Sequence, residues 1–425
     1  MLLAQVAYGQ TDRAIKEKEV KRIIRTLTAD EMLGRSAYDE KSIFKAAAFI
    51  EKEFRKIGLG YFPGLNTYLQ RFQKQQISPV KIEVSIDGRA MNPERVTFVS
   101  EKAEASFRNN LTIRKITVDN AVANKDQYFF DEAFKLYNDT SSYLVLVDSA
   151  FHRNFREFKG YFNKYFARGR KSTKVFVLGE KNANNFTAHA TQHLEPLNMA
   201  NVVGVLEGKS RKDEMVIFSG HYDHIGIQKV KVNGDSIANG ADDDASGTTA
   251  VIELARYFKK TNLHERTLVF VAFTAEEIGG FGSRYFSENV NADKVVAMFN
   301  IEMIGKPSKW GRNHVFMTGF ERSDLGTLLQ KNLAGTPFEL HPDPYPEQDL
   351  FYRSDNATLA RLGVPAHSLS TDQIDSDKLY HSVDDELASI DVMNMTNAIR
   401  AIGLSARSIV NGQDTPKRID KTTLR

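Results

Sequence analysis

The sequence predicts an α/β fold: a mixed, mostly parallel sheet with helices on both faces, interrupted by an inserted, mostly β domain. Three observations predict it. Short apolar runs recur from about residue 198 onward: Val202 to Leu206, Met215 to Phe218, Leu268 to Phe273, Val295 to Ile301 and Val364 to Leu369. Stretches with helical periodicity lie between them. Residues from about 80 to 197 have a different character, with alternating runs set among aromatic and basic pieces. Apolar strands bounded by amphipathic helices imply a sheet covered on both faces, and such sheets place ligands at the carboxyl ends of their strands.

The elements follow in order. Val20, Ile23, Ile24 and Leu27 share one helical face. Ile43, Ala47, Ile50, Phe54 and Ile57 repeat the 3.6-residue period, and Gly58 follows as a C-cap. A strand is expected around Tyr68 to Phe72. In the middle block, Val80 to Ile86 and Tyr143 to Val147 read as strands. The aromatics of F-R-E-F-K-G-Y-F-N-K-Y-F, residues 155 to 166, read as core packing rather than a binding surface. Beyond it, Val251, Leu254, Ala255 and Phe258 mark one helix, and Leu325, Leu328, Leu329 and Leu333 another. A long final helix is expected from about Ile390 to Val410. The expected division is residues 1–83, an insertion over 84–197, and the main α/β part over 198–425.

Composition narrows the chemistry. The chain has 425 residues, 41% hydrophobic and 26% charged, an ordinary globular mix. A net charge of +3 gives no bulk attraction to nucleic acid or to a membrane surface. No apolar window is long enough for a transmembrane helix. There are no cysteines, so disulfides, thiolate zinc sites, iron–sulfur clusters and a cysteine nucleophile are excluded. Any metal is held by histidine and carboxylate. Residues 1 to 8, M-L-L-A-Q-V-A-Y, are apolar, too short for a full signal peptide and preceded by no basic region.

Acidic and histidine residues follow the apolar runs. S-G-H-Y-D-H brings His221, Asp223 and His224 after Met215 to Phe218. N-G-A-D-D-D-A-S-G, residues 239 to 247, precedes a helix. T-A-E-E brings Glu276 and Glu277 after Leu268 to Phe273, and Glu302 follows Val295 to Ile301. His381 lies in L-Y-H-S-V-D-D-E, before the last helix. Each piece alone has a plainer reading. The aspartate triplet could cap the next helix, and the glutamate pair could be a charged turn. Jointly, two histidines and three acidic residues at one sheet edge make the ligand set of a two-metal hydrolytic site without sulfur.

The strings G-H-Y-D-H-I-G (220 to 226), N-G-A-D-D-D-A-S-G, F-T-A-E-E-I-G-G-F-G-S (273 to 283), N-I-E-M-I-G (300 to 305), Y-R-S-D-N (352 to 356) and L-Y-H-S-V-D-D (379 to 385) resemble, in order, those of the family-28 metallopeptidases, the co-catalytic di-zinc aminopeptidases. D-E-M-L-G-R at 30 to 35 resembles that family's lead-in. The resemblance implies the zinc-dependent exopeptidase fold, two zinc ions per chain and peptide substrates. Residue by residue, it implies that His221 and Glu302 bind the first zinc, that Asp243 bridges, and that Glu277 and His381 bind the second. Glu302 stands where the family usually has aspartate. Glu276 matches the general base, and Tyr380 matches a tyrosine that steadies the tetrahedral intermediate. Asp223 would orient the His221 ring from behind. His224 belongs to the motif but not to the ligand set, and a packing or supporting role is expected of it. Arg353, Ser354 and Asp355 match a loop near the substrate cleft.

The function implied is removal of N-terminal residues from peptides by a metallo-aminopeptidase. The alternatives are a glutaminyl cyclase-like transferase, which uses one zinc, and a non-catalytic binding protein on the same fold. The filled ligand positions and Glu276 argue against both. No H-E-x-x-H, G-x-S-x-G or G-x-x-x-x-G-K-[ST] is present. The insertion loosely resembles a protease-associated domain and is expected to flank the cleft and restrict substrate size. Family habit and the short apolar start favour export to the periplasm or the cell exterior. Nothing in the sequence reads on oligomeric state.

Overall fold

The computed structural model describes residues 14–232 and 234–425. The apolar start at residues 1 to 8 lies outside the described residues. The chain forms two compact units, one of residues up to Phe72 and Met199–Arg425, the other Gln73–Asn198. The second unit thus starts earlier than the expected residue 84. The strand predicted at Tyr68 to Phe72 and the one at Val80 to Ile86 are a single strand, Leu69–Ile86.

In the first unit, α1 (Glu17–Leu27) and α2 (Glu40–Ile57) carry the two predicted helical faces. The Asp39 carboxylate accepts from the Lys41 amide at 3.0 Å, and Gly58 closes α2 at φ 76°, where a side chain would be strained. The sheet consists of β1 (Phe186–Leu206, entering this unit at Met199), β2 (Arg211–His221), β3 (Arg266–Phe273), β4 (Val295–Ile301), β5 (His314–Met317), β6 (Glu339–Pro342) and β7 (Ala366–Ser370). Its order is β6-β5-β7-β4-β2-β3-β1. The four middle strands are parallel; β1 and β5 run antiparallel to their inner neighbours.

Helices cover both faces. Val216, Phe218, Leu268, Phe270 and Phe299 pack with α1, α2, α3 (Gly247–Thr261), α5 (Leu325–Leu333) and α6 (Val392–Ser405). Ile217, Val269, Val271 and Met298 pack on the opposite side, with Phe286 of α4 (Phe281–Glu288) and Leu359. Alternate residues of one strand therefore enter two different cores, which is why the strands read as unbroken apolar runs. The single long helix expected at the C-terminus is two: α6 ends at Ser405, and a separate turn runs Arg407–Val410. Leu404, Ile409 and Val410 are all buried, so the apolar pattern continues across the break and does not mark it.

The second unit is a layered structure of its own. Its four-stranded sheet has the order Val96–Val99, Lys174–Leu178, Tyr143–Val147, Thr112–Ile116. Two helices, Lys125–Asn138 and His152–Gly160, pack Phe129, Phe155 and Phe158 against Phe176 on one side. Phe162 joins that cluster, so the aromatics of 155 to 166 are mainly core.

Among the described residues, no helix is long and apolar enough to cross a membrane.

Candidate metal centre

Parallel register brings the polar residues together. His221 pairs with Phe273, and Ser219 with Asn300, so β2, β3 and β4 end nearly level. Glu276, Glu277 and Glu302 therefore project from the same sheet edge as His221. Asp243 arrives on the loop that leads into α3. Asp244 fixes that loop: its Oδ1 accepts from the amides of Gly247 (3.0 Å) and Met303 (3.1 Å), and its Oδ2 from the amide of His221 (3.1 Å). The last member of the triplet thus ties the loop to the first amide of the helix, while the middle one faces the centre. Gly247 has to be glycine here, because a Cβ would meet the Ile301 carbonyl and the Asp244 carboxylate.

Arg35 holds the same loop from behind. It is fully buried, and its guanidinium donates to the carbonyls of Tyr222 (2.8 Å), Leu27 (2.8 Å), Asn239 (2.5 Å) and Gly240 (2.9 Å). Asp385 holds it from the front, accepting from the amides of Asp242 (3.0 Å) and Asp243 (3.2 Å). Neither role is visible from residue type alone.

The donors form two groups that share Asp243. His221 Nε2 lies 3.2 Å from Asp243 Oδ1 and 3.2 Å from Glu302 Oε1. His381 Nε2 lies 3.2 Å from Asp243 Oδ2 and 2.9 Å from Glu277 Oε2. One oxygen of Asp243 faces each group, the arrangement of a bridging carboxylate. Two donors each about 2.0–2.2 Å from one zinc ion lie roughly 3–3.6 Å apart. These nitrogen and oxygen atoms fit a zinc-type cation in each group. Glu302 reaches its position despite the extra methylene, steadied by Ser354, whose hydroxyl donates to Oε2 at 2.6 Å.

His224 comes closer to the centre than its expected supporting role requires. Its Nδ1 is 2.8 Å from Glu277 Oε1 and 3.7 Å from Asp243 Oδ2, so it faces the second group beside His381. Asp223 is near His221 but does less to orient it than expected. The closer contact to His221 Nδ1 is the Asp223 carbonyl, at 3.1 Å, while its carboxylate is 3.7 Å away. That carboxylate instead accepts from the amides of Glu276 (3.1 Å) and Glu277 (3.3 Å), which fixes the turn carrying both glutamates.

A cleft of about 580 Å³, open to solvent, adjoins the centre. Glu276, Tyr380, Arg353 and Ser354 line it; Tyr380 also stacks on His381 with ring centroids 4.0 Å apart. Asp355 lines a neighbouring hollow together with Glu276 and is itself buried. Met303, Phe316, Leu350 and Ile374 give the cleft an apolar lining, and Asp372, which the sequence reading passed over, lines it too. Asp372 is buried, and its Oδ1 has no hydrogen-bond partner.

Crowded carboxylates set the electrostatics. Burial pushes the Glu276 carboxyl well above the usual range against the pull of His221, and the charges of Asp355, Glu302 and Glu277 add to it. Burial opposes charge on His221, yet Glu302, Asp223 and Asp243 hold its imidazole well above the ordinary value. Burial likewise works against His381, but Asp243 and Glu277 raise it to about 10. Burial and the nearby carboxylates raise the Tyr380 phenol, so it keeps its proton at neutral pH. The centre is rich in negative charge and stabilises cations.

These features define a class of protein: an α/β sheet whose strand ends deliver a sulfur-free donor cluster bridged by one carboxylate. Residues 201–405 match the sequence model of peptidase family M28. A probable zinc metalloprotease of Pyrenophora teres f. teres (strain 0-1) is 37% identical over 112 residues, 26% of this chain and 23% of that protein. The match thus spans about a quarter of that relative's length. The fold is similar to that of a zinc aminopeptidase from Bacillus subtilis, with a TM-score of 0.58, 17% identity, and 94% and 97% of the two chains covered. It is also similar to an aminopeptidase from Aneurinibacillus sp. strain AM-1, with a TM-score of 0.55, 18% identity and 98% of each chain covered.

Proposed function

We propose that this protein is a zinc-dependent exopeptidase, an aminopeptidase that removes N-terminal residues from peptides. The observation that carries the reading is Asp243, which offers one oxygen to each of two nitrogen–oxygen groups beside the half-buried Glu276. His221, Glu302 and Asp243 would hold one zinc ion. Asp243, Glu277 and His381 would hold the other, with His224 against Glu277. The pair would supply Lewis-acid polarisation of the scissile carbonyl and a lowered pKa for the attacking water. Glu276 takes a proton from that water as its oxygen bonds to the carbonyl carbon. The same carboxyl then delivers the proton to the departing amine as the C–N bond breaks. The Tyr380 phenol, kept protonated, donates a hydrogen bond to the oxygen on which charge develops.

The cleft has a place for a free amino terminus. Asp372 lines it outside the groups that would hold the ions, buried and with Oδ1 unpartnered. A substrate ammonium would donate a hydrogen bond to that oxygen. The two-group centre also argues against a single-zinc cyclase. A panel of aminoacyl and N-blocked chromogenic substrates, with and without chelator, tests the proposal. Cleavage of free-amine substrates only, abolished by chelator, is expected. Cleavage of N-blocked substrates, or indifference to chelator, would overturn it; cyclisation of an N-terminal glutamine peptide would favour the transferase.

A further inference from the structure

Outside the cleft, a second cluster of metal-type donors stands on the rim of the sheet. His314 is the first residue of β5, and Glu339 and His341 lie on its parallel neighbour β6. Register pairs His314 with Glu339 and Phe316 with His341. Residues two apart on one strand share a face, so the three side chains emerge on the same side. His314 Nδ1 is 2.9 Å from His341 Nε2. Glu339 Oε2 is 3.7 Å from the first and 3.6 Å from the second. None of the three lines the cleft.

An N–H···N hydrogen bond would account for the two rings, and the carboxylate stands at ion-pair distance from both. A single ion accounts for all three. The circle through the three atoms has a radius of about 2.0 Å, inside the zinc–nitrogen and zinc–oxygen range. We infer that His314, Glu339 and His341 form a binding site for a divalent transition-metal ion of the zinc type, separate from the central pair and with its remaining position open to water. Two imidazoles select such an ion over calcium or magnesium, which take oxygen ligands. The ion fastens the edge strand β6 where the chain leaves for Leu350, Arg353 and Ser354 of the cleft.

The chain contains one tryptophan, and it reports on this site. Trp310 stacks on His341 with ring centroids 4.0 Å apart and planes within 13°. The test compares this chain with its H314Q variant, which leaves that stack in place, and with E339Q, made at a largely exposed side chain. After equilibration with zinc and gel filtration, wild type should carry about one equivalent more than either variant. Titration with cupric ion, a paramagnetic quencher, should quench Trp310 saturably in wild type. In both variants it should do so at least tenfold more weakly. Equal zinc content and identical quenching curves in all three proteins would overturn the site. Because the readout is a difference between proteins, it holds whether the central groups bind two ions, one or none.

Discussion

The two halves of the central cluster are built differently. On one side, His221 and Glu302 continue directly from the ends of β2 and β4, and the Glu302 amide is still paired with the Leu369 carbonyl at 3.0 Å. The His221 side chain is 1% exposed. On the other side, His381 comes from a loop outside strand and helix, with its backbone at φ 54° and its side chain 38% exposed. A ligand carried by a hydrogen-bonded strand keeps its geometry through the sheet; one carried by a loop keeps it through local contacts alone. The strand half should therefore hold its ion more tenaciously than the loop half, although the two share Asp243.

The sharpest way to break this contrast is to remove what the halves share. Asp243→Ala should lower bound zinc by about two equivalents and abolish turnover, as measured by elemental analysis and steady-state rates. Loss of one ion only would mean that Asp243 belongs to one half. Next in size is Glu276→Gln. It should keep both ions while kcat falls by about 10²–10⁴-fold. A near-normal rate would remove Glu276 as the base.

The sequence made the strand half easier to read than the loop half. Apolar runs at 215 to 218 and 295 to 301 predicted strands whose ends had to meet, so the neighbourhood of His221 and Glu302 was legible. The loop half was legible only as a motif. Periodicity places no ligand on a loop, and the closeness of His224 to Glu277 depends on a turn that no pattern encodes. Arg35 shows the same limit. Its acceptors are backbone carbonyls as far as Gly240, and a carbonyl has no sequence signature. The start of the second unit was misplaced for a related reason: one strand, Leu69–Ile86, continues past Gln73 without a turn residue to mark the boundary.

The strand half has a weakness of its own, in acid. His367 lies on β7, beside β4, with Nδ1 2.9 Å from the Thr318 carbonyl and Nε2 2.8 Å from the Ser323 hydroxyl. Burial lowers its pKa to about 4. The folded state therefore binds fewer protons than the unfolded chain between about pH 6.5 and 4. Stability from this group is complete above the unfolded value and falls by about 3 kcal/mol as pH drops through that window. Urea unfolding of His367→Gln at several pH values should show a shallower acid dependence than wild type. An unchanged dependence would mean that the ring does not resist protonation.

The smallest effects discriminate best between the halves. Ser354 supports only the first, through its 2.6 Å bond to Glu302. His224 supports only the second, through its 2.8 Å contact with Glu277. Removing a partner that orients a ligand typically weakens metal binding about 10–100-fold. Ser354→Ala should therefore weaken one of the two central zinc affinities by that factor and leave the other unchanged. His224→Phe keeps a ring in the buried space but removes the nitrogen, and it should weaken the other affinity instead. Stepwise chelator titration separates the two. Wild type should release the loop-half ion first; His224→Phe should widen the gap between the steps, and Ser354→Ala should narrow it. A shift in the same direction from both variants would mean that the halves are coupled through Asp243 more strongly than they differ in support. A loss well beyond 100-fold in His224→Phe would place that nitrogen on the ion itself.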